Sequence, residues 1–102
     1  MARHQFRLFI SGQAGNSLSA IANLRALCAQ LLGGDYELQI IDVLEEPELA
    51  EREKITVTPT LIKDAPLPAR RLIGDLSHTP RVLAGLGLTQ LDDRLPSPGK
   101  NP

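Results

Sequence analysis

Ile55-Thr56-Val57-Thr58-Pro59-Thr60-Leu61-Ile62-Lys63 is the stretch whose reading decides the fold. Its second half is β-branched and apolar, the composition of a strand. Pro59 stands just ahead of that strand, where a missing N–H is tolerated. Two isomers are open. A trans proline would simply begin an edge strand. A cis proline would bend the chain and leave neighbouring carbonyl and amide groups free to meet another chain. Proline statistics favour trans, so the decision falls to what surrounds the stretch.

Upstream, Arg7-Leu8-Phe9-Ile10 reads as a buried strand, closed by the turn Ser11-Gly12-Gln13-Ala14-Gly15-Asn16. Asn16 or Ser17 can cap a helix. Leu18, Ile21, Leu24, Cys28 and Leu31 then recur at helical spacing, and Gly33-Gly34 ends the run. Tyr36 to Val43 is a second strand. Strand, helix and strand at this spacing form a βαβ unit, so the two strands should be parallel with a right-handed crossover. Pro47 to about Lys54 reads as a short exposed helix, with proline and acids at its start and a base at its end.

Downstream, Asp64-Ala65-Pro66-Leu67-Pro68 is a turn, and Arg70-Arg71-Leu72-Ile73 is a strand closed by Gly74-Asp75. The strands flanking the turn should form an antiparallel hairpin. A last helix begins with Thr79 as cap and Pro80 in its first turn, or with Ser77 as cap one turn earlier. Val82, Leu83 and Leu86 share one face, and Leu88 to Leu91 extend the pattern. Gly85 and Gly87 each weaken such a helix by about 1 kcal/mol relative to alanine. The tail from Leu95 to Pro102 should be disordered. One domain, residues 1–94, is expected, and no internal repeat is visible. The summed order βαβαββα, an α/β mixed four-stranded sheet, resembles the thioredoxin arrangement. That resemblance implies a cis proline at Pro59.

Composition removes several function classes. A net charge of −1 gives no global field toward nucleic acid or a membrane, and 3% aromatic residues leave little to stack on bases. The start of the chain lacks the apolar run of a signal peptide, and no stretch is long enough to span a bilayer, so a cytoplasmic protein is expected. One cysteine, Cys28, rules out an internal disulfide and any Cys-x-x-Cys motif. The glycine-rich loop at residues 12–17 lacks the Lys-Ser/Thr pair of a P-loop and reads as a plain turn. His4 and His78 stand apart without cysteine partners, so no metal site is expected. Cys28 reads as packing and Asp42 as a turn or capping residue. No cofactor or catalytic set emerges. What stands out is a basic group, Lys54, Lys63, Arg70 and Arg71, in an otherwise balanced chain.

An ordered set of motifs carries a closer resemblance. Leu8-Phe9-Ile10-Ser11-Gly12 with Asn16-Ser17, Ile41-Asp42-Val43-Leu44, Pro47-Glu48-Leu49-Ala50-Glu51, Thr58-Pro59-Thr60-Leu61 and Ile73-Gly74-Asp75-Leu76-Ser77 together resemble the KaiB family over roughly residues 6–88. The sensory domain of the kinase SasA shares the Thr-Pro feature.

The resemblance implies a non-enzymatic clock regulator. Such proteins exist in two folds, a tetrameric βαββααβ ground state and a monomeric thioredoxin-like active state. The active state docks on the first ATPase ring of a KaiC-type hexamer and engages KaiA or kinases. Lys54, Arg70 and Arg71 match basic positions used in that docking, while Ser19 stands where an arginine is common. Phe9, Gly85 and Gly87 match positions that bear on the fold equilibrium. Pro80 suits a helix start and cannot donate to a sheet ladder. These features lead us to expect the thioredoxin-like state, as a monomer, to be the ground state.

Overall fold

The computed structural model describes residues 3–87. Expectations for the end of the domain and for the tail fall outside that range. The element order is β1 (His4–Ile10), α1 (Gly15–Leu32), β2 (Tyr36–Asp42), α2 (Pro47–Arg52), β3 (Thr60–Ala65), β4 (Arg70–Ile73) and α3 (Thr79–Leu86). This is the βαβαββα order read from the sequence. The strands form one mixed sheet in the order β2-β1-β3-β4. β1 pairs parallel with β2 and antiparallel with β3, and β4 pairs antiparallel with β3.

Strand alternation sorts the core into two layers. Phe6, Leu8 and Ile10 of β1 join Leu61 of β3 against Ala20, Leu24 and Cys28 of α1 and Val82 and Leu86 of α3. Phe9, Ile41 and Ile62 form the opposite layer, under Leu49 of α2 and Ile55. Helices α1 and α3 thus cover one face and α2 the other. β1 lies between strands and has helices on both faces, which is why its second half, Leu8-Phe9-Ile10, is continuously apolar and buried.

The start of α1 differs from expectation. Its N-cap position is Ala14, without a side-chain cap, and Ser17 lies inside the first turns. The Ser17 hydroxyl instead accepts a hydrogen bond from the Ser11 N–H at 3.1 Å, fastening the helix to the end of β1. This bond turns Ser17 inward, so the buried stripe is Ser17, Ala20, Leu24 and Cys28, and Leu18 faces solvent. Asn16 donates to the Thr58 carbonyl at 3.4 Å rather than capping. At α3 neither Ser77 nor Thr79 is the cap. His78 is, its Nδ1 accepting from the Arg81 N–H at 3.3 Å. Pro80 lies in the first turn of α3 as expected.

Gly87 is not inside α3 but closes it, at φ 73°, a conformation glycine adopts without steric penalty. Gly85 is inside, and a Cβ there would stand 2.2 Å from Leu72 Cδ2. The missing side chain is what lets α3 lie directly on β4. β3 also runs further than the sequence suggested. Asp64 and Ala65 belong to the strand, and the turn begins at Pro66.

Burial in the α1 layer raises the Cys28 thiol from its ordinary 9.0 to about 11. The thiol therefore stays protonated and inert in the fold. Native protein should react with iodoacetamide at pH 8 only at the rate of unfolding. The unfolded chain ionises near pH 9 while the folded one resists until about 11, so stability should fall as pH climbs through that window. Labelling kinetics at pH 8 check the first, and denaturant titrations at pH 8 and pH 10.5, with Cys28→Ala as control, check the second.

Candidate functional site

The residues implied in docking come from two places, the end of α2 and the outer strand β4. Helix α2 stops at Arg52, two residues earlier than read, with Glu53 as its C-cap. Lys54 follows at φ 59°, left-handed backbone that a non-glycine residue rarely adopts. That conformation reverses the chain toward Ile55, whose N–H bonds back to the Ala50 carbonyl at 2.9 Å. It leaves the Lys54 side chain exposed. Arg71 clamps this turn, donating from Nη2 to the Glu53 carbonyl at 2.9 Å and from Nη1 to the Lys54 carbonyl at 3.4 Å.

Arg70 and Arg71 are neighbours on a strand, so their side chains leave on opposite faces. Arg71 lies on the α2 face beside Lys54. Arg70 leans toward the end of α3, where its guanidinium would be 3.4–3.5 Å from a Cβ placed at Gly87. The structure therefore joins Lys54 with Arg71 and sets Arg70 on the other side of the same edge. Lys63, grouped with them by charge in the sequence, is buried at 3% exposure. Burial, and then the nearby Arg70 charge, lower its pKa, so it is not part of the exposed basic surface.

Sequence reading missed a third arginine. Arg7, in the middle of β1, makes a two-pronged pair with Asp64, Nε to Oδ2 at 2.7 Å and Nη2 to Oδ1 at 2.9 Å. Its Nη1 donates to Glu53 Oε2 at 3.0 Å, and its guanidinium carbon sits 5.7 Å from the Phe9 ring centre. The Asp64 hydrogen bond raises the Arg7 pKa, desolvation opposes it, and Glu53 adds to the rise. One signal was available: a charged residue opening an apolar run implies a buried partner. Asp64 had been placed in a turn, so the pairing could not be seen.

The consequence is electrostatic. Glu53 and Asp64, the two carboxylates beside this basic edge, are both held by Arg7, which offsets one of their two charges. Lys54, Arg70 and Arg71 have no carboxylate partner among the described residues. The groove lined by Arg7, Glu53, Ile62, Asp64, Arg70 and Arg71 therefore sets two unpaired arginines beside carboxylates that Arg7 already engages. Arg7→Met should release both carboxylates and lower stability by about 1–2 kcal/mol, since the groups are only partly buried. Adding Asp64→Asn should recover part of that loss in a double-mutant cycle read by urea denaturation.

The remaining sequence candidates are structural in place. Phe9 is fully buried between Ile41 and Ile62. Asp42 Oδ1 accepts from the Gly12 and Leu44 N–H groups at 3.1 and 2.9 Å and ties two loops together. The Thr58–Pro59 peptide is cis, and Pro59 is buried, with its carbonyl accepting from Gly74 N–H at 3.0 Å. Asp75 holds the loop after β4. Its carbonyl accepts from Asn23 at 2.8 Å and its Oδ1 from the Ser77 N–H at 3.1 Å. Among the described residues no cluster of His, Cys, Asp and Glu is placed to hold a metal ion, and no helix is long and apolar enough to cross a membrane.

Comparison with known proteins agrees with this architecture. The family model described as KaiB domain matches residues 7–88. Circadian clock protein KaiB3 of Synechocystis sp. is 51% identical over 98 residues, covering 94% of this chain and 96% of that one. A circadian clock oscillator protein KaiB of Prochlorococcus marinus is 49% identical over 82 residues, covering 80% and 70%. Among solved structures, the N-terminal domain of Synechococcus elongatus SasA superposes with a TM-score of 0.67 at 23% identity, over 91% of this chain and 83% of that one. Mitochondrial thioredoxin 3 of Saccharomyces cerevisiae gives 0.67 at 18%, over 85% and 79%. At these identities the two structures speak to fold alone, and the fold is thioredoxin-like. Sequence and fold agree in placement: the chain belongs to the KaiB family.

Proposed function

We propose that this chain is a clock-type regulator that works by binding rather than catalysis, in the cytoplasm and as a monomer. Its basic edge docks on an acidic surface of the first ATPase ring of a KaiC-type hexamer and modulates the hexamer's phosphorylation and output cycle. KaiA or a SasA-type histidine kinase are further partners in this reading. The observation that carries it is the edge itself. Lys54 is held in a left-handed turn by Arg71, and the nearby carboxylates are bound by Arg7. Strained backbone that displays a charge is expected at a functional surface. Charges of this kind steer encounter and fix register. With one cysteine, the chain has no dithiol for exchange chemistry.

A peptide- or glutathione-binding role beside Pro59 is the second reading, favoured by the exposed Val57 next to that junction. Against it, the Thr58 carbonyl there already accepts from Asn16. The two readings separate by experiment. The purified chain is mixed with KaiC-type hexamers and ATP and run by size exclusion. Co-elution supports docking. No complex at about tens of micromolar, weaker than about 6–7 kcal/mol of binding, with several KaiC paralogues removes it. Retention on immobilised glutathione would promote the second reading.

Lys54→Gly separates strain from charge. Glycine relieves the left-handed backbone, so stability should rise by about 0.5–1 kcal/mol. Affinity for the hexamer should fall because the ammonium is gone. Thermal unfolding and a binding titration on the same variant check both signs.

A further inference from the structure

β4 is an outer strand, and its backbone shows which groups it offers. The Gly74 N–H bonds to the Pro59 carbonyl at 3.0 Å. With the register Thr60↔Ile73, Leu61↔Leu72, Ile62↔Arg71 and Lys63↔Arg70, the hydrogen-bonded pairs of this antiparallel ladder are 59/74, 61/72 and 63/70. Arg70 and Leu72 therefore turn their N–H and C=O groups inward to β3. Arg71 and Ile73 turn theirs outward.

The side chains of Arg71 and Ile73 share the α2 face, two residues apart. Ile73 is 65% exposed, a large apolar group without cover. Arg71 uses two of its five N–H donors on carbonyls and keeps its full charge. The strand contains no proline or bulge to discourage pairing, and positive charge is its only guard.

We propose that the partner binds by strand addition: an extended segment pairs with the open edge of β4, carrying a carboxylate opposite Arg71 and an apolar side chain opposite Ile73. The inference rests on the docking reading above and specifies how that docking is made. Main-chain bonds to Arg71 and Ile73 supply affinity, and the acid-x-apolar spacing supplies specificity. A second copy of this chain fits less well. Antiparallel self-pairing sets Arg71 against Ile73, against another Arg71, or, with Ile73 on Ile73, against Asp75, which lies beyond the strand and already accepts from the Ser77 N–H.

The test is amide hydrogen exchange of the chain, free and bound to a KaiC-type hexamer with ATP, beside the affinity of Ile73→Pro. In the free chain the Arg71 and Ile73 amides should exchange fast, while Arg70 and Leu72 are slow. In the complex the first two should slow by at least about tenfold. Ile73→Pro removes an outward N–H without touching the ladder to β3, and should weaken binding by about tenfold.

A complex in which Arg71 and Ile73 exchange as in the free chain overturns strand addition and leaves docking standing. No complex with the native chain overturns the docking reading, and strand addition with it. Protection of the same amides in the chain alone, at the mass of two copies, replaces the partner segment by a homodimer. If Ile73→Pro loses its own fold by circular dichroism, the exchange data on the native chain decide alone.

Discussion

Gly85→Val unseats helix α3 and lowers stability by about 2–3 kcal/mol, the usual penalty for forcing atoms into a packed contact. The cause is local. A Cβ at Gly85 stands 2.2 Å from Leu72 Cδ2 and 3.0 Å from its Cγ, and valine adds two methyl groups beyond it. Leu72 is half-buried against the α1 and α3 layer, so moving it aside gives up packing there. Valine's small gain in helix propensity over glycine, a few tenths of a kcal/mol, does not offset the clash. For a domain of this size the thermal midpoint should drop by roughly 10 °C or more.

Leu72→Ala in the same chain should restore part of the loss, because the contact has two sides. Recovery in the double variant identifies the close approach of α3 to β4 as the cause. Equal losses in single and double variants would place the cause elsewhere. Since Val82 and Leu86 close the α1 layer from α3, the same substitution should also loosen the packing under β4.

The second large effect is on binding. Arg70→Glu with Arg71→Glu should weaken the complex with a KaiC-type hexamer by about 100-fold or more. Two exposed cations become anions, and like charges then face the acidic surface. Arg71→Glu also removes the clamp on the Lys54 turn. Each arginine should contribute separately, because the two leave β4 on opposite faces. The affinity of the native chain should fall with added salt, and that of the reversed chain should not. If the reversed chain binds as well as the native one, the partner remains and the site moves.

Most of the architecture was legible from the sequence for physical reasons. Leu8-Phe9-Ile10 of β1 and Leu61-Ile62 of β3 are continuously apolar because layers cover both faces there. Gly33 and Gly74, both at positive φ, mark element ends as glycine does where the chain must turn left-handed. Pro47 and Pro80 sit in first turns, where a missing N–H does no harm. What stayed hidden depends on three-dimensional partners. Ser17 and Asn16 read as caps because their side chains suit that role, yet each found a partner elsewhere, on β1 and on the loop before Pro59. His78 was passed over because histidine is a minor capping type.

The basic edge was half legible. Charge alone grouped Lys63 with Lys54, Arg70 and Arg71. Strand alternation then buried Lys63 and split the arginine pair across the sheet. Arg7 was invisible as part of the site because its two carboxylates lie 46 and 57 residues away in the chain.

The basic edge depends on one arrangement. Residues 79–86 must be a helix on β4, and residues 60–65 a strand beside β1, for Lys54 and Arg71 to meet. Backbone chemical shifts of the free chain at micromolar concentration, with its mass by light scattering, test this directly. Helical shifts are expected from Thr79 to Leu86, strand shifts from Thr60 to Ala65, and the mass of a single chain. Strand shifts across Val82 to Leu86 with the mass of four chains would contradict it.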